Sequence, residues 1–123
     1  MKSIIRIGLI ACLFVVNGLF AQQSLVGKYS GNYLTPSSRG EQSWGFELEI
    51  TSEENGIVKG LAKRHGSVCY GESPMEGTYK NGKLVMRGKL ATRGGECVNT
   101  LNVTAEGNTL VGKLGSFPIE LRK

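Results

Sequence analysis

Aspartate is missing from this sequence, and histidine and tryptophan each occur once among its 123 residues. Without aspartate the chain has no Ser-His-Asp triad, no aspartic-protease pair and no EF-hand calcium loop. One histidine and the two cysteines that follow residue 21 do not supply the ligands of a closed tetrahedral zinc site without a glutamate. The glycine-rich loops that bind nucleotide phosphates are also missing. These absences argue against an enzyme, and no cofactor or metal is expected.

Helical periodicity is absent too, whereas glycine is abundant, with 18 residues, about twice its usual frequency. Apolar and polar residues alternate along most of the chain after residue 21, which is typical of half-buried strands. The pattern predicts an all-β fold with eight strands, at Leu25–Leu34, Trp44–Thr51, Val58–Arg64, Met75–Lys80, Lys83–Leu90, Val98–Glu106, Thr109–Leu114 and Phe117–Arg122.

The first 21 residues have the parts of a bacterial secretory signal peptide. Met1–Arg6 carries two positive charges, Ile7–Val16 is a short apolar run, and Ala21 is a small residue before the expected cut. The apolar run is short for a bilayer, so no membrane span is expected. We therefore predict export to the periplasm or the cell exterior, with one domain over residues 22–123.

A second interpretation of the N-terminus is lipidation, because Leu9–Cys12 resembles a lipobox. The apolar run continues after Cys12, where a lipoprotein has a polar tether, so cleavage after Ala21 is favoured. Cys69 and Cys97 then remain in an oxidising compartment and predict one disulfide. Two free thiols are the alternative.

Short turns predict how the strands pair. The turn signals are Asn81-Gly82, Gly107-Asn108, Gly115-Ser116 and the three-residue loop Glu54-Asn55-Gly56. Each two-residue turn pairs apolar residues with apolar or small ones, and the three-residue loop sets Ile50 opposite Gly60. Consecutive hairpins of this kind predict an eight-stranded antiparallel up-and-down β-barrel, whose closure leaves no free sheet edge.

Connections alternate between the two ends of such a barrel. One end receives the tight turns, and the other receives three long loops, at Thr35–Ser43, His65–Pro74 and Ala91–Cys97. Cys69 and Cys97 both fall at this second end, which makes their disulfide geometrically reasonable. Long loops on a rigid scaffold commonly carry binding sites, so the functional site is expected there.

Aromatic residues supply the candidate lining of that site. We predict that a small apolar or amphipathic ligand contacts a set of side chains made up of Tyr33, Trp44, Phe46, Tyr70 and Tyr79. The alternative is that these rings simply belong to the core. Charged residues of the same loops, such as Arg64 and Glu72, can instead form the polar rim of a contact with a protein target.

Three other functions are less favoured. His65 has no recognisable nucleophile beside it, so a solvated loop residue is favoured over a general acid or base. Nucleic-acid binding is not expected, because the chain is only weakly basic once Lys2 and Arg6 are removed and its basic residues are not interleaved with exposed aromatics. A hydrolase using paired glutamates is the least supported alternative.

The first and last strands resemble those of the lipocalin and avidin group of barrels. Those barrels often begin with Gly-x-Trp and some end with an arginine over that ring; here Gly27 and Tyr29 occupy the first motif and Arg122 the second. The resemblance implies a barrel that binds a ligand at its open end. Small secreted bacterial inhibitors of proteases and lysozymes are similar in size and have one disulfide, which implies the alternative of a protein-binding module.

Overall fold

The strands of this protein close into a single antiparallel barrel. A computed structural model describes residues 24–92 and 95–123, so the expected signal peptide lies outside the described residues. Each strand pairs with the next, and the eighth returns to the first. The strands are β1 Gly27–Ser37, β2 Gly40–Glu54, β3 Ile57–Arg64, β4 Gly71–Lys80, β5 Lys83–Thr92, β6 Gly95–Glu106, β7 Thr109–Leu114 and β8 Phe117–Arg122. The predicted all-β meander barrel is confirmed.

The two-residue turns have the backbone that their residues favour. Asn81 and Gly82 both have positive φ, 53° and 79°, as a type I′ hairpin turn requires. Tyr79 consequently pairs with Leu84, as predicted. The turns that begin with Gly107 and Gly115 join β6 to β7 and β7 to β8 with the predicted pairings as well.

The turn between β2 and β3 differs from the prediction. Only Asn55 and Gly56 form the turn, again with positive φ at both residues, and the strands pair up to Glu54 opposite Ile57. The extra residue lies further along β2, in a bulge between Ile50 and Ser52. Because the bulge shifts the register by one, Ile50 still faces Gly60, as the three-residue loop had predicted.

Two of the three predicted long loops are extended hairpins. β1 and β2 remain paired as far as Ser37 opposite Gly40, where the Ser37 hydroxyl donates a hydrogen bond of 2.7 Å to the Gly40 carbonyl. β5 and β6 remain paired as far as Thr92 opposite Gly95. Backbone pairing therefore continues through polar sequence that has no apolar alternation to reveal it. The third loop remains irregular over residues 65–70.

The interior of the barrel is closely packed. Leu84, Met86 and Leu101 have no surface accessible to a water-sized sphere, although a hollow interior would expose the side chains that face it. Inward-facing glycines let the strands bend tightly, because a Cβ on any of them would overlap a carbonyl oxygen of the neighbouring strand; they are Gly31, Gly60, Gly77, Gly88 and Gly112. Small residues thus fit the narrow interior that eight strands enclose.

Tyr29 and Lys123 close one end of the barrel. The Tyr29 hydroxyl donates a 2.8 Å hydrogen bond to the carbonyl of Leu25. The Nζ of Lys123 lies 5.7 Å from the centre of the Tyr29 ring. The resemblance had placed Arg122 over this ring, and that expectation is wrong. Arg122 points outward on β8 and forms a surface ion pair with Glu120 at 3.4 Å.

Candidate functional site

The two ends of the barrel carry different connections. One end, here named the closed end, has three two-residue turns, at Asn55-Gly56, Asn81-Gly82 and Gly107-Asn108. The opposite end, the open end, has the Ser38-Arg39 turn, the Gly115-Ser116 turn and the irregular segment from His65 to Tyr70. We call this last segment the clamp segment, and it contains Cys69.

Three of the five predicted site residues come together near the open end. Tyr33 pairs directly with Trp44 across β1 and β2, and the Tyr33 and Phe46 rings meet edge to face with centroids 6.5 Å apart. Tyr33 and Phe46 are fully buried in the core. Trp44 is half-buried, and its indole Nε1 donates a 3.0 Å hydrogen bond to the Thr35 hydroxyl. These aromatics therefore form a floor beneath the open end.

A buried arginine lies on that floor. Arg64 is the last residue of β3 and only 8% of its surface is exposed. Its Nε donates a 3.2 Å hydrogen bond to the Tyr33 hydroxyl, and its Cζ lies 4.9 Å from the centre of the Tyr33 ring. Its Nη1 donates a 2.9 Å hydrogen bond to Oδ1 of Asn99 on β6. The guanidinium thus bridges β1 and β6 inside the barrel.

Asn99 extends this polar network to β4. Its Nδ2 donates a 2.9 Å hydrogen bond to the Ser73 hydroxyl, and both residues are fully buried. All ten glutamates lie among the described residues, and none of them forms an ion pair with Arg64. A buried charge is normally paired, because removal from water is costly. In the described structure the charge of Arg64 has only neutral partners.

Sequence reasoning placed Arg64 on an exposed rim and did not single out Asn99 or Ser73. The signal was present in the alternation, because Arg64 has the same parity as the inward-facing Ala62. Asn99 likewise shares parity with Leu101, which is in the core. Three inward positions near the open end, those of Arg64, Ser73 and Asn99, are therefore polar and lie among apolar ones.

The clamp segment is held against the barrel at several points. The His65 amide donates a 3.0 Å hydrogen bond to the Gly45 carbonyl, and the Tyr33 hydroxyl donates to the His65 carbonyl. Gly66 sits so close that a Cβ there would lie 2.7 Å from the Tyr33 hydroxyl. The predicted disulfide of Cys69 with Cys97 is confirmed, with Cα atoms 5.8 Å apart.

Two apolar side chains project from the clamp segment. Val68 is 68% exposed and Tyr70 is 46% exposed, and they flank Cys69 on either side. Tyr70 is thus a fourth predicted site residue at the open end, but it lies on the outer surface and not with the buried rings. A disulfide beside two exposed apolar side chains fixes the position of both.

Tyr79, the fifth predicted site residue, is at the other end of the barrel. It lies two residues before Asn81 of the Asn81-Gly82 turn and pairs with Leu84, which places it at the closed end with Tyr29. Tyr79 and Tyr70 therefore lie at opposite ends of the barrel. Alternation assigned Tyr79 correctly to the inward side, but alternation says nothing about position along the barrel axis.

The remaining features to place are His65, potential metal ligands and the outer face of the barrel. His65 is exposed and its imidazole stacks on Gly45. Within residues 24–92 and 95–123 no three His, Cys or Glu side chains gather as a metal site, and no helix could cross a membrane. Shallow grooves lie on the outer face of the barrel, one of them between Lys28, Glu47 and Lys63.

Comparisons with known proteins add no family to this description: no protein-family model, no curated protein and no solved structure matches the chain.

Proposed function

We propose that this protein is an exported binding module that docks on another protein through its open end. The observation that carries the proposal is the clamp segment, in which Val68 and Tyr70 are exposed while the backbone between them is fixed by a disulfide. Exposed apolar and aromatic side chains at the centre of a surface are typical anchors of protein interfaces. The partner expected is a protein with an apolar cleft that receives these two side chains.

Rigidity of the clamp segment supports this function. A loop that is ordered before binding loses little conformational entropy on binding, so more of its contact energy appears as affinity. The segment is anchored at its start by backbone hydrogen bonds and near its end by Cys69. Charged residues around it, including Glu72 and Arg39, provide the polar rim that such contacts usually have.

Packing inside the barrel favours a protein partner over a small apolar ligand held deep in the interior. The inward-facing side chains between the two ends, such as Leu48 and Leu101, are fully enclosed by one another. A ligand of ordinary size needs a pocket of several hundred Å³. Room for it would require these side chains to move apart, at the cost of their packing.

Export is part of the proposal. Disulfides persist in oxidising compartments outside the cytosol, and this chain has one. The signal peptide expected over residues 1–21 would deliver the chain there. Enzymatic activity is not part of the proposal, because the sequence has no recognisable nucleophile motif beside His65.

Photo-crosslinking in the cells that produce the protein tests this function. A photoreactive benzoylphenylalanine replaces Tyr70 in one variant and Ile57 in another; Ile57 is equally exposed, at 45%, but lies at the closed end. We expect a discrete covalent adduct with a second protein from position 70 and none from position 57. Val68→Ser should reduce the adduct at position 70 by roughly tenfold, whereas Val26→Ser at the closed end should leave it unchanged. Equal adducts from both positions, or none from either, would overturn the proposal.

A further inference from the structure

We propose that Arg64 forms a binding site for a carboxylate at the open end of the barrel. The inference goes beyond the docking function, because it concerns a buried charge and not the apolar side chains of the clamp segment. The carboxylate site is therefore tested by a measurement that does not depend on the docking function.

The hydrogen bonds of Arg64 leave part of its guanidinium unused. Nε and Nη1 donate to Tyr33 and Asn99, whereas Nη2 has no hydrogen-bond partner among the described residues. Every fully enclosed side-chain nitrogen or oxygen of the described residues has a hydrogen-bond partner. Because Nη2 has none, it retains contact with solvent. The guanidinium thus keeps donors that no described residue occupies, and Arg64 itself ends β3 at the open end of the barrel.

Position and charge together specify the ligand. Arg64 is more than nine-tenths buried, so a charge near it is only weakly screened. Its planar fork of N–H donors matches a carboxylate, which accepts two parallel hydrogen bonds. Among the described residues no glutamate pairs with it. An incoming carboxylate would supply the opposite charge that the folded chain does not provide.

The surrounding network holds the arginine in place for this role. Tyr33 accepts from Nε and donates in turn to the His65 carbonyl, while Asn99 is fixed by its own bond to Ser73. These neutral groups orient the guanidinium without cancelling its charge. Such a preorganised donor loses little freedom when the ligand binds.

Two sources can provide the carboxylate. It can belong to an acidic side chain of a docked protein, or to a free amphipathic acid whose apolar tail lies across the open end. The barrel is closely packed below Arg64, so only the carboxylate of an acidic side chain reaches the guanidinium. A free amphipathic acid makes an additional apolar contact through its tail. Acetate and octanoate are therefore informative probes, because they share a carboxylate and differ in their tail.

Ligand-induced thermal stabilisation tests the site. The melting temperature of the full protein is followed by Trp44 fluorescence during titration with sodium acetate, sodium octanoate and neutral acetamide at constant ionic strength. We expect acetate at 100 mM to raise the Tm by roughly 5 °C through linkage, and acetamide to leave it unchanged. Arg64→Met should abolish the effect, whereas Arg87→Met, which removes an exposed arginine of β5, should retain it.

The two sources give different results with the same variants. Octanoate binding at least tenfold tighter than acetate indicates a free amphipathic acid, and equal affinities indicate a carboxylate presented by a protein; both support the site. Should Arg64→Met not fold, Arg64→Lys and the NMR signal of the wild-type Arg64 Nε–H provide a second readout, which should shift with acetate and not with acetamide. The proposal fails if acetate does not stabilise the wild type, or if it stabilises the Arg64 variants equally.

Discussion

Tyr29 shows how a single buried side chain couples this barrel to pH. Its ring is buried at the closed end and its hydroxyl donates to the Leu25 carbonyl. Burial raises the pKa of Tyr29 above the ordinary 10.0, and the nearby Tyr79 and Glu53 raise the pKa further. All three causes act in one direction, because each makes a negative phenolate less favourable in the folded state.

Replacement of Tyr29 by phenylalanine should therefore change how stability depends on alkaline pH. Above pH 10 a tyrosine in the unfolded chain loses its proton while Tyr29 in the folded barrel keeps it, so the free energy of unfolding falls as the pH rises toward the folded pKa. We expect Tyr29→Phe to have a shallower decline than the wild type in urea unfolding between about pH 8 and pH 11. The variant also loses the hydrogen bond to Leu25, but that loss is independent of pH. Identical slopes for the two proteins would contradict the prediction.

At the scale of the strand pairs, the turn sequences predicted the residue pairing of three hairpins correctly. Hairpin turns such as Asn81-Gly82 fix the register of the residues paired beside them, here from Lys80 opposite Lys83 to Glu76 opposite Arg87, because a slip of one residue would turn every apolar side chain outward. The bulge in β2 shows the limit of this reasoning. A three-residue turn and a two-residue turn with a bulge place Ile50 opposite the same residue, so pairing alone does not distinguish them.

The ends of the strands and the polar network were less accessible to sequence reasoning. Residues 35–43 alternate little in polarity, yet backbone hydrogen bonds pair them without help from burial. Arg64 was placed on the polar rim with the other charged residues of the open-end loops, and an inward arginine is unfavourable unless something pairs with it. The long-range partners Tyr33 and Asn99, which are 31 and 35 residues away, make that position tolerable. Only the closed barrel brings these strands together.

The disulfide is expected to order the clamp segment, whereas the barrel should form without it. Cys69 ties the clamp segment to Cys97 at the start of β6, whereas every strand pair is formed by backbone hydrogen bonds that do not involve it. We expect the double variant Cys69→Ser, Cys97→Ser to keep the barrel but to lose about 3 kcal/mol of unfolding free energy in urea titration. Amides of the clamp segment should exchange with solvent at least tenfold faster.

The variant also distinguishes two ways of holding the loop. If the hydrogen bonds of Tyr33 and His65 were sufficient to order the clamp segment, its amide exchange would be the same with and without the disulfide. That outcome would contradict the assignment of the disulfide as the clamp. Circular dichroism of the double variant provides the control, since an unchanged β spectrum shows that the barrel remains folded.

At the scale of the whole molecule, the barrel has one seam that differs from the others. Seven of its strand pairs join neighbours in sequence, but β1 and β8 meet only after the chain has gone round the barrel. This seam comprises four paired residues, from Ser30 opposite Arg122 to Tyr33 opposite Ile119. The β5–β6 pair, by comparison, runs from Lys83 to Thr92. The pairing that closes the barrel is thus both short and long-range.

Native-state hydrogen exchange should therefore detect opening at this seam before the rest of the barrel unfolds. Separation of β1 from β8 breaks few hydrogen bonds and leaves seven hairpin pairings intact, so its free energy lies below that of global unfolding. We expect the amides that bond across β1 and β8 to exchange with an opening free energy about 1–3 kcal/mol lower than those across β5 and β6. The measurement is NMR-detected exchange at low urea concentrations, where local opening is insensitive to urea and global unfolding is not.

Two core substitutions provide a matched control. Ile119→Ala weakens the inward packing beside Tyr33, so it should lower the opening free energy of the seam amides relative to the variant's own global unfolding free energy. Leu84→Ala should lower this relative value less. If the seam amides exchange only through global unfolding, the closed barrel behaves as a single cooperative unit, and its short final pairing is held by the core and not by its own hydrogen bonds.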